Sequence, residues 1–123
     1  MKKMTGSNVM YKNITIEDFK SFYSGRLPNG TVQGYSFFID GDIVAIAGVE
    51  RNKGILYAFS DIYKDAALEK MTIYRGALIV REFLKKFKTD IYARANADIS
   101  GARSFLSHIG FREVDDMYVM VLE

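Results

Sequence analysis

Tyr35-Ser36-Phe37-Phe38-Ile39-Asp40-Gly41-Asp42-Ile43-Val44-Ala45-Ile46-Ala47-Gly48 is the stretch from which the architecture can be read. Tyr35, Phe37 and Ile39 alternate with their neighbours, the period that puts a strand's apolar side chains on one face. Asp40-Gly41 is a two-residue hairpin signal, because both positions tolerate the left-handed backbone that such a turn needs. Beyond it, residues 43–49 are apolar almost without interruption, which suits a strand covered on both faces. The reading is a hairpin over residues 32–39 and 43–49, its second arm in mid-sheet.

Downstream, Asn52-Lys53-Gly54 turns the chain into a further strand, Ile55-Leu56-Tyr57-Ala58-Phe59, which completes an antiparallel meander. Ile73, Gly76, Ala77, Val80, Phe83, Leu84 and Phe87 then recur at helical spacing, with Arg75, Arg81, Glu82, Lys85 and Lys86 largely off that stripe. Acids early (Asp65, Glu69) and bases late (Lys85, Lys86, Lys88) complement the helix dipole. The pattern leaves two starts open, a single helix from Asp65 or a helix from Thr72. A strand over 91–95, a helix over 100–109 ended by Gly110, and a strand over 117–122 follow. Upstream, Thr15 caps a helix and Asp18 answers it, with Ile14 and Phe19 at staple spacing. Phe19, Phe22 and Tyr23 continue its apolar face, Gly25 ends it, and Leu27-Pro28-Asn29-Gly30 is a turn. The first residues, Met-Lys-Lys followed by a polar run, read as a short leader without the apolar core of a signal peptide, in an intracellular, cytoplasmic protein.

Composition narrows the function classes. The chain of 123 residues is sized for one domain, 1–123, and 49% hydrophobic with 26% charged residues excludes disorder. With 0 Cys there is no thiolate nucleophile and no cysteine metal site. A net charge of +2 is too small to announce a nucleic-acid partner, although Arg81, Lys85, Lys86 and Lys88 make a basic helix end that can meet phosphate. No apolar run approaches the length of a membrane span. Metal-ligand spacing, a nucleophile elbow and a Walker loop are all missing from the sequence.

The order of three strands, helix, strand, helix, strand, with Ala102-Arg103-Ser104-Phe105-Leu106-Ser107-His108-Ile109-Gly110-Phe111 at the last helix, resembles the GNAT superfamily of acetyl-CoA-dependent N-acetyltransferases. In that family the segment commonly reads Ala-x-x-Phe-Tyr-x-x-x-Gly-Phe, and Phe111-Arg112-Glu113-Val114 looks like the strand that follows it. The Tyr35 to Gly48 stretch is similar to the family's second and third strands. The resemblance implies an α/β fold, a mixed and largely antiparallel central sheet of about six or seven strands flanked by helices. It also implies acetyl-CoA as donor and an amine acceptor on a protein or small molecule. In compact size and glycine-poor long helix the chain looks like small GNAT-like proteins of tailed bacteriophages, some of them virion components.

Two departures and the question of a base bear on activity. The family's phosphate loop opens the long helix with glycines whose free amides cradle pyrophosphate. Here the nearest string is Tyr74-Arg75-Gly76, where Gly76 also falls on the apolar stripe and can serve as a close-packing glycine. The resemblance implies pantetheine along the edge of residues 55–60. Pyrophosphate is then met between residues 62 and 67 or by Tyr74, Arg75 and Gly76. Asp65 competes at the first place and Arg75 favours the second, so Arg75→Ala is expected to weaken coenzyme A binding more than about tenfold. The family's general-acid Tyr would fall at Leu106, which has no proton to give, and neither Ser107 nor His108 replaces it automatically. A base is drawn from Glu50 or Asp61, the carboxylates nearest the expected cleft, with Tyr57 and Tyr63 as phenols near the same edge. The competing class is a non-catalytic binding or structural protein that kept the fold.

Overall fold

A computed structural model describes residues 1–4, 6–63, 68–87, 89–93, 112–114 and 117–120. The chain runs through β1 (Lys2–Lys3), β2 (Met10–Asn13), α1 (Ile16–Phe22), β3 (Thr31–Ile39), β4 (Asp42–Asn52), β5 (Ile55–Ile62), α2 (Lys70–Leu84), β6 (Ile91–Ala93), β7 (Arg112–Val114) and β8 (Met117–Met120). Among the described residues the strands form one eight-stranded sheet in the order β1-β2-β3-β4-β5-β6-β8-β7. Neighbours are antiparallel except β5 and β6, which pair in parallel and are joined through α2.

The hairpin forms where the sequence places it. Asp40 (φ 51°) and Gly41 (φ 84°) are both left-handed, the backbone of the turn whose twist matches paired strands. Phe37 faces Ala45 while Phe38 faces Ile43, so Val44 is an extra residue in β4, a bulge. Its carbonyl accepts from the Tyr63 amide at 3.0 Å, which carries the strand connection past the end of β5.

The doubly apolar β4 is explained by what covers it. On one face Ala45, Ala47 and Val49 meet α2 through Ala77, Val80 and Leu84. On the other, Ile46 is packed under Phe19 and Phe22 of α1. Glu69 has an extended backbone (φ −68°, ψ 150°), so α2 does not run on from Asp65; it begins at Lys70, close to the later of the two expected starts. It also ends at Leu84, leaving Lys85 and Lys86 beyond it, and its first turn holds no acid.

The residues read as a short leader take part in the fold. Lys2 and Lys3 pair with Tyr11 and Met10, and Met4 (3% exposed) and Val9 (2%) belong to the core. β1 and β2 are the strands by which the sheet exceeds the expected number. The expected helix over 100–109, with Leu106, Ser107 and His108, lies outside the described residues. No helix among the described residues is long and apolar enough to cross a membrane.

Candidate active site

The α1 face of the central strands carries the candidate acid and base chemistry. Register sets its rows: Ser36, Ile46 and Asp61 lie side by side across β3, β4 and β5, and Val32, Glu50 and Tyr57 form a parallel row. Between them lie Gly34, Gly48 and Phe59. A Cβ on Gly34 (φ +151°) would stand 2.2 Å from the Ala47 carbonyl oxygen, and one on Gly48 2.1 Å from that of Gln33. Neither position accepts a side chain, so bare backbone separates the two rows on β3 and β4, while the Phe59 ring lies between them on β5 and packs against Phe19.

Glu50 and Asp61 therefore share a face without being neighbours. Tyr57, opposite Glu50, and Asp61 are separated along β5 by roughly 13 Å at the usual strand rise. Glu50 Oε1 accepts the backbone amides of Asn29 and Gly30, the latter at 3.0 Å, and so holds the turn after α1 against the sheet. Asp61 Oδ2 accepts the hydroxyl of Tyr23. Tyr63 stacks on Phe22 with ring centroids 4.2 Å apart and donates its hydroxyl to the Phe22 carbonyl at 3.1 Å, closing the end of α1. Tyr57 is 38% exposed beside Glu50.

Tyr23 and Arg26 are the residues of this face that the sequence did not reveal. Tyr23 reads there as one more aromatic on the helix's apolar face; its partner Asp61 stands 38 residues away. Burial, then the hydrogen bond and charge of Asp61, push the Tyr23 phenol well above its ordinary value. Glu50 adds to that shift and Arg26 opposes it. The Arg26 guanidinium lies 4.5 Å over the Tyr23 ring centroid.

The expected cofactor contacts are sorted by α2. Tyr74, Arg75 and Gly76 lie inside the helix, where amides are spent on its own hydrogen bonds, so the expected backbone cradle at these three residues does not form. The free amides of the first turn are those of Lys70, Met71 and Thr72, and Glu69 makes no side-chain cap to them. Arg75 Nη1 donates to the Gly6 carbonyl at 3.0 Å. Gly76 is not forced by close packing either: a Cβ there would meet Met4 and Phe37 at 3.9 Å, ordinary contact. β5 pairs with β6 only through Leu56 and Tyr57, and among the described residues its later backbone has no ladder partner on that side.

No protein-family model and no curated protein matches the sequence. Solved structures do match in shape. AAC(6')-Ib in complex with parmomycin and acetyl-CoA superposes with TM-score 0.65 at 14% identity, covering 94% of each chain. The ribosomal-protein-S18-alanine N-acetyltransferase from Escherichia coli gives 0.62 at 13%, covering 93% of this chain and 92% of that one. A mutant form of a cAMP-binding acyltransferase from Mycobacterium smegmatis gives 0.59 at 14%, covering 94% of this chain and 44% of that one. The fold is that of the GNAT acetyltransferases, a mixed, mostly antiparallel sheet whose parallel pair, β5 and β6, is bridged by α2.

Proposed function

We propose that the protein is a small N-acetyltransferase that moves acetyl from acetyl-CoA to an amine. The observation that carries this is the edge of β5 past Tyr57, without a ladder partner among the described residues, opening beside an α2 N-terminus that Glu69 leaves uncapped. Backbone groups on the β5 edge suit an amide-bearing pantetheine, and the amides of Lys70, Met71 and Thr72 suit pyrophosphate. Of the three residues expected from the sequence to bind the cofactor, Arg75 keeps a route to phosphate only through its side chain, which donates to the Gly6 carbonyl. When bound, acetyl-CoA supplies the activated acyl group.

Asp61 is assigned as the group that takes the ammonium proton. A carboxylate has room for about four hydrogen bonds, and Tyr23 uses one of them, holding the side chain in place. Glu50 serves instead to shape the wall of the site through the Asn29-Gly30 turn. The test is a coenzyme A titration followed by heat. Saturation at 100 times the dissociation constant should stabilise the protein by about 2.7 kcal/mol. Asp61→Asn should keep that stabilisation while coenzyme A release with an amine acceptor falls about 10²–10⁴-fold. Absence of any coenzyme A effect would leave the fold as a non-catalytic binding scaffold.

A further inference from the structure

Arg26 is the cation that meets Tyr23 on this face. It is exposed, on the loop that leaves α1, and its guanidinium covers the ring whose hydroxyl is bonded to Asp61. A cation over a tyrosine ring with a carboxylate at the ring's far end is the arrangement in which aromatic sites hold alkylammonium and guanidinium groups. The charges around Tyr23 do not cancel: the carboxylates of Asp61 and Glu50 act on it against the single guanidinium of Arg26. An exposed arginine is also a poor permanent occupant, since fixing its long side chain costs conformational freedom that a small rigid cation does not lose.

We propose that Tyr23 and Asp61 form the seat for the acceptor's ammonium group, and that Arg26 is a resident plug which a cationic amine must displace. The inference rests on the acetyl-transfer reading, in which Asp61 meets the amine. It adds that the ammonium is seated on the Tyr23 ring, that neutral analogues are refused, and that Arg26 sets the threshold of affinity. In the free protein the guanidinium masks Tyr23; in the amine complex the loop side chain swings to solvent, and the incoming ammonium lies against the ring and Asp61.

The experiment uses the whole chain with n-butylammonium, n-butylguanidinium and neutral n-butanol as probes, binding being followed by nuclear magnetic resonance shifts of the tyrosine rings. Arg26→Gln should bind both cations about two- to five-fold more tightly than the unaltered protein, the scale of one exposed cation–π contact. Arg26→Lys, which keeps a plug, should stay near the unaltered protein, and n-butanol should bind to none of them. Adding Asp61→Asn to Arg26→Gln should abolish the gain. Unchanged or weaker cation binding by Arg26→Gln overturns the plug. Coenzyme A binding is measured on the same samples. Coenzyme A bound without any preference for cations sinks this inference and spares the acetyltransferase reading. Tighter cation binding without coenzyme A keeps the cation seat and its Arg26 plug, but sinks the acetyltransferase reading and with it the assignment of the bound amine as acetyl acceptor.

Discussion

At the scale of single residues, Asp18 shows how one side chain ties a helix to a sheet. Its carboxylate accepts the Thr15 amide at 3.1 Å, closing the capping box, and the Ser36 hydroxyl at 2.9 Å, and pairs with Lys12 at 3.2 Å. Burial works to raise its pKa, but the bonds from Ser36, Lys12 and Thr15 together hold it below the ordinary 3.8. A depressed folded-state value means stability that is fully present above pH 3.8 and lost as pH falls through the folded value. Asp18→Ala should cost about 1–3 kcal/mol at pH 7, because the Ser36 hydroxyl, in a residue 0% exposed, loses its acceptor. Urea denaturation of the variant should also show a flatter dependence on pH below 3.8. The cap itself was legible, since Thr15 and Asp18 are three residues apart. Ser36 and Lys12 were not, because only strand pairing brings β2 and β3 under the helix. Asp61 was legible as a candidate base, but its bond to Tyr23 was not, because the two residues stand 38 positions apart and only the folding of α1 onto β5 joins them.

At the scale of elements, α2 shows both what a period reveals and what it conceals. The apolar stripe located the helix and its buried face, with Ala77, Val80 and Leu84 in the core. Its start was not legible, because Glu69 and Lys70 are ordinary helix residues and the break lies in the extended backbone of Glu69. Gly76 fitted the stripe for a reason the structure changes. It borders a cavity of about 50 Å³ lined also by Met4, Phe37, Ala47 and Thr72, and its missing Cβ would make only ordinary contacts. Gly76→Ala should therefore stabilise the protein by about 0.5–1 kcal/mol, the usual gain for alanine over glycine within a helix. A lower midpoint in urea would show that the helix has no room there. The β3–β4 pair gives the opposite expectation: Gly34→Ala, with a positive φ and backbone in the way, should lose more than about 1 kcal/mol in the same assay.

At the scale of the whole molecule, the sheet is closed at one side by the segment that looked least structured in sequence. Met1 to Asn13 has neither a long apolar run nor a helical period, and a two-residue strand leaves no pattern to read. Of its two anchors, Met4 stands alone among polar residues and Val9 opens only the short run Val9-Met10-Tyr11, so only the folded sheet shows that both enter the core. The Met4 amide donates to the Val9 carbonyl at 2.8 Å, turning the arm back on itself. The Met4 sulfur then lies 3.9 Å from where a Gly76 Cβ would be, and Gly6 receives Arg75 from the same helix. The arm thus braces α2 on the side of the cavity, and α2 in turn carries the proposed pyrophosphate amides. Truncating Met4 to alanine enlarges a space that is already underfilled, and the surroundings have little left with which to close it. Met4→Ala should cost about 2–5 kcal/mol, the range for a buried large-to-small change. Exposed Lys2→Ala, on the same arm, should change stability by less than about 0.5 kcal/mol. Equal urea midpoints for the two variants would mean that the arm is not part of the core, and that α2 is held by the sheet alone.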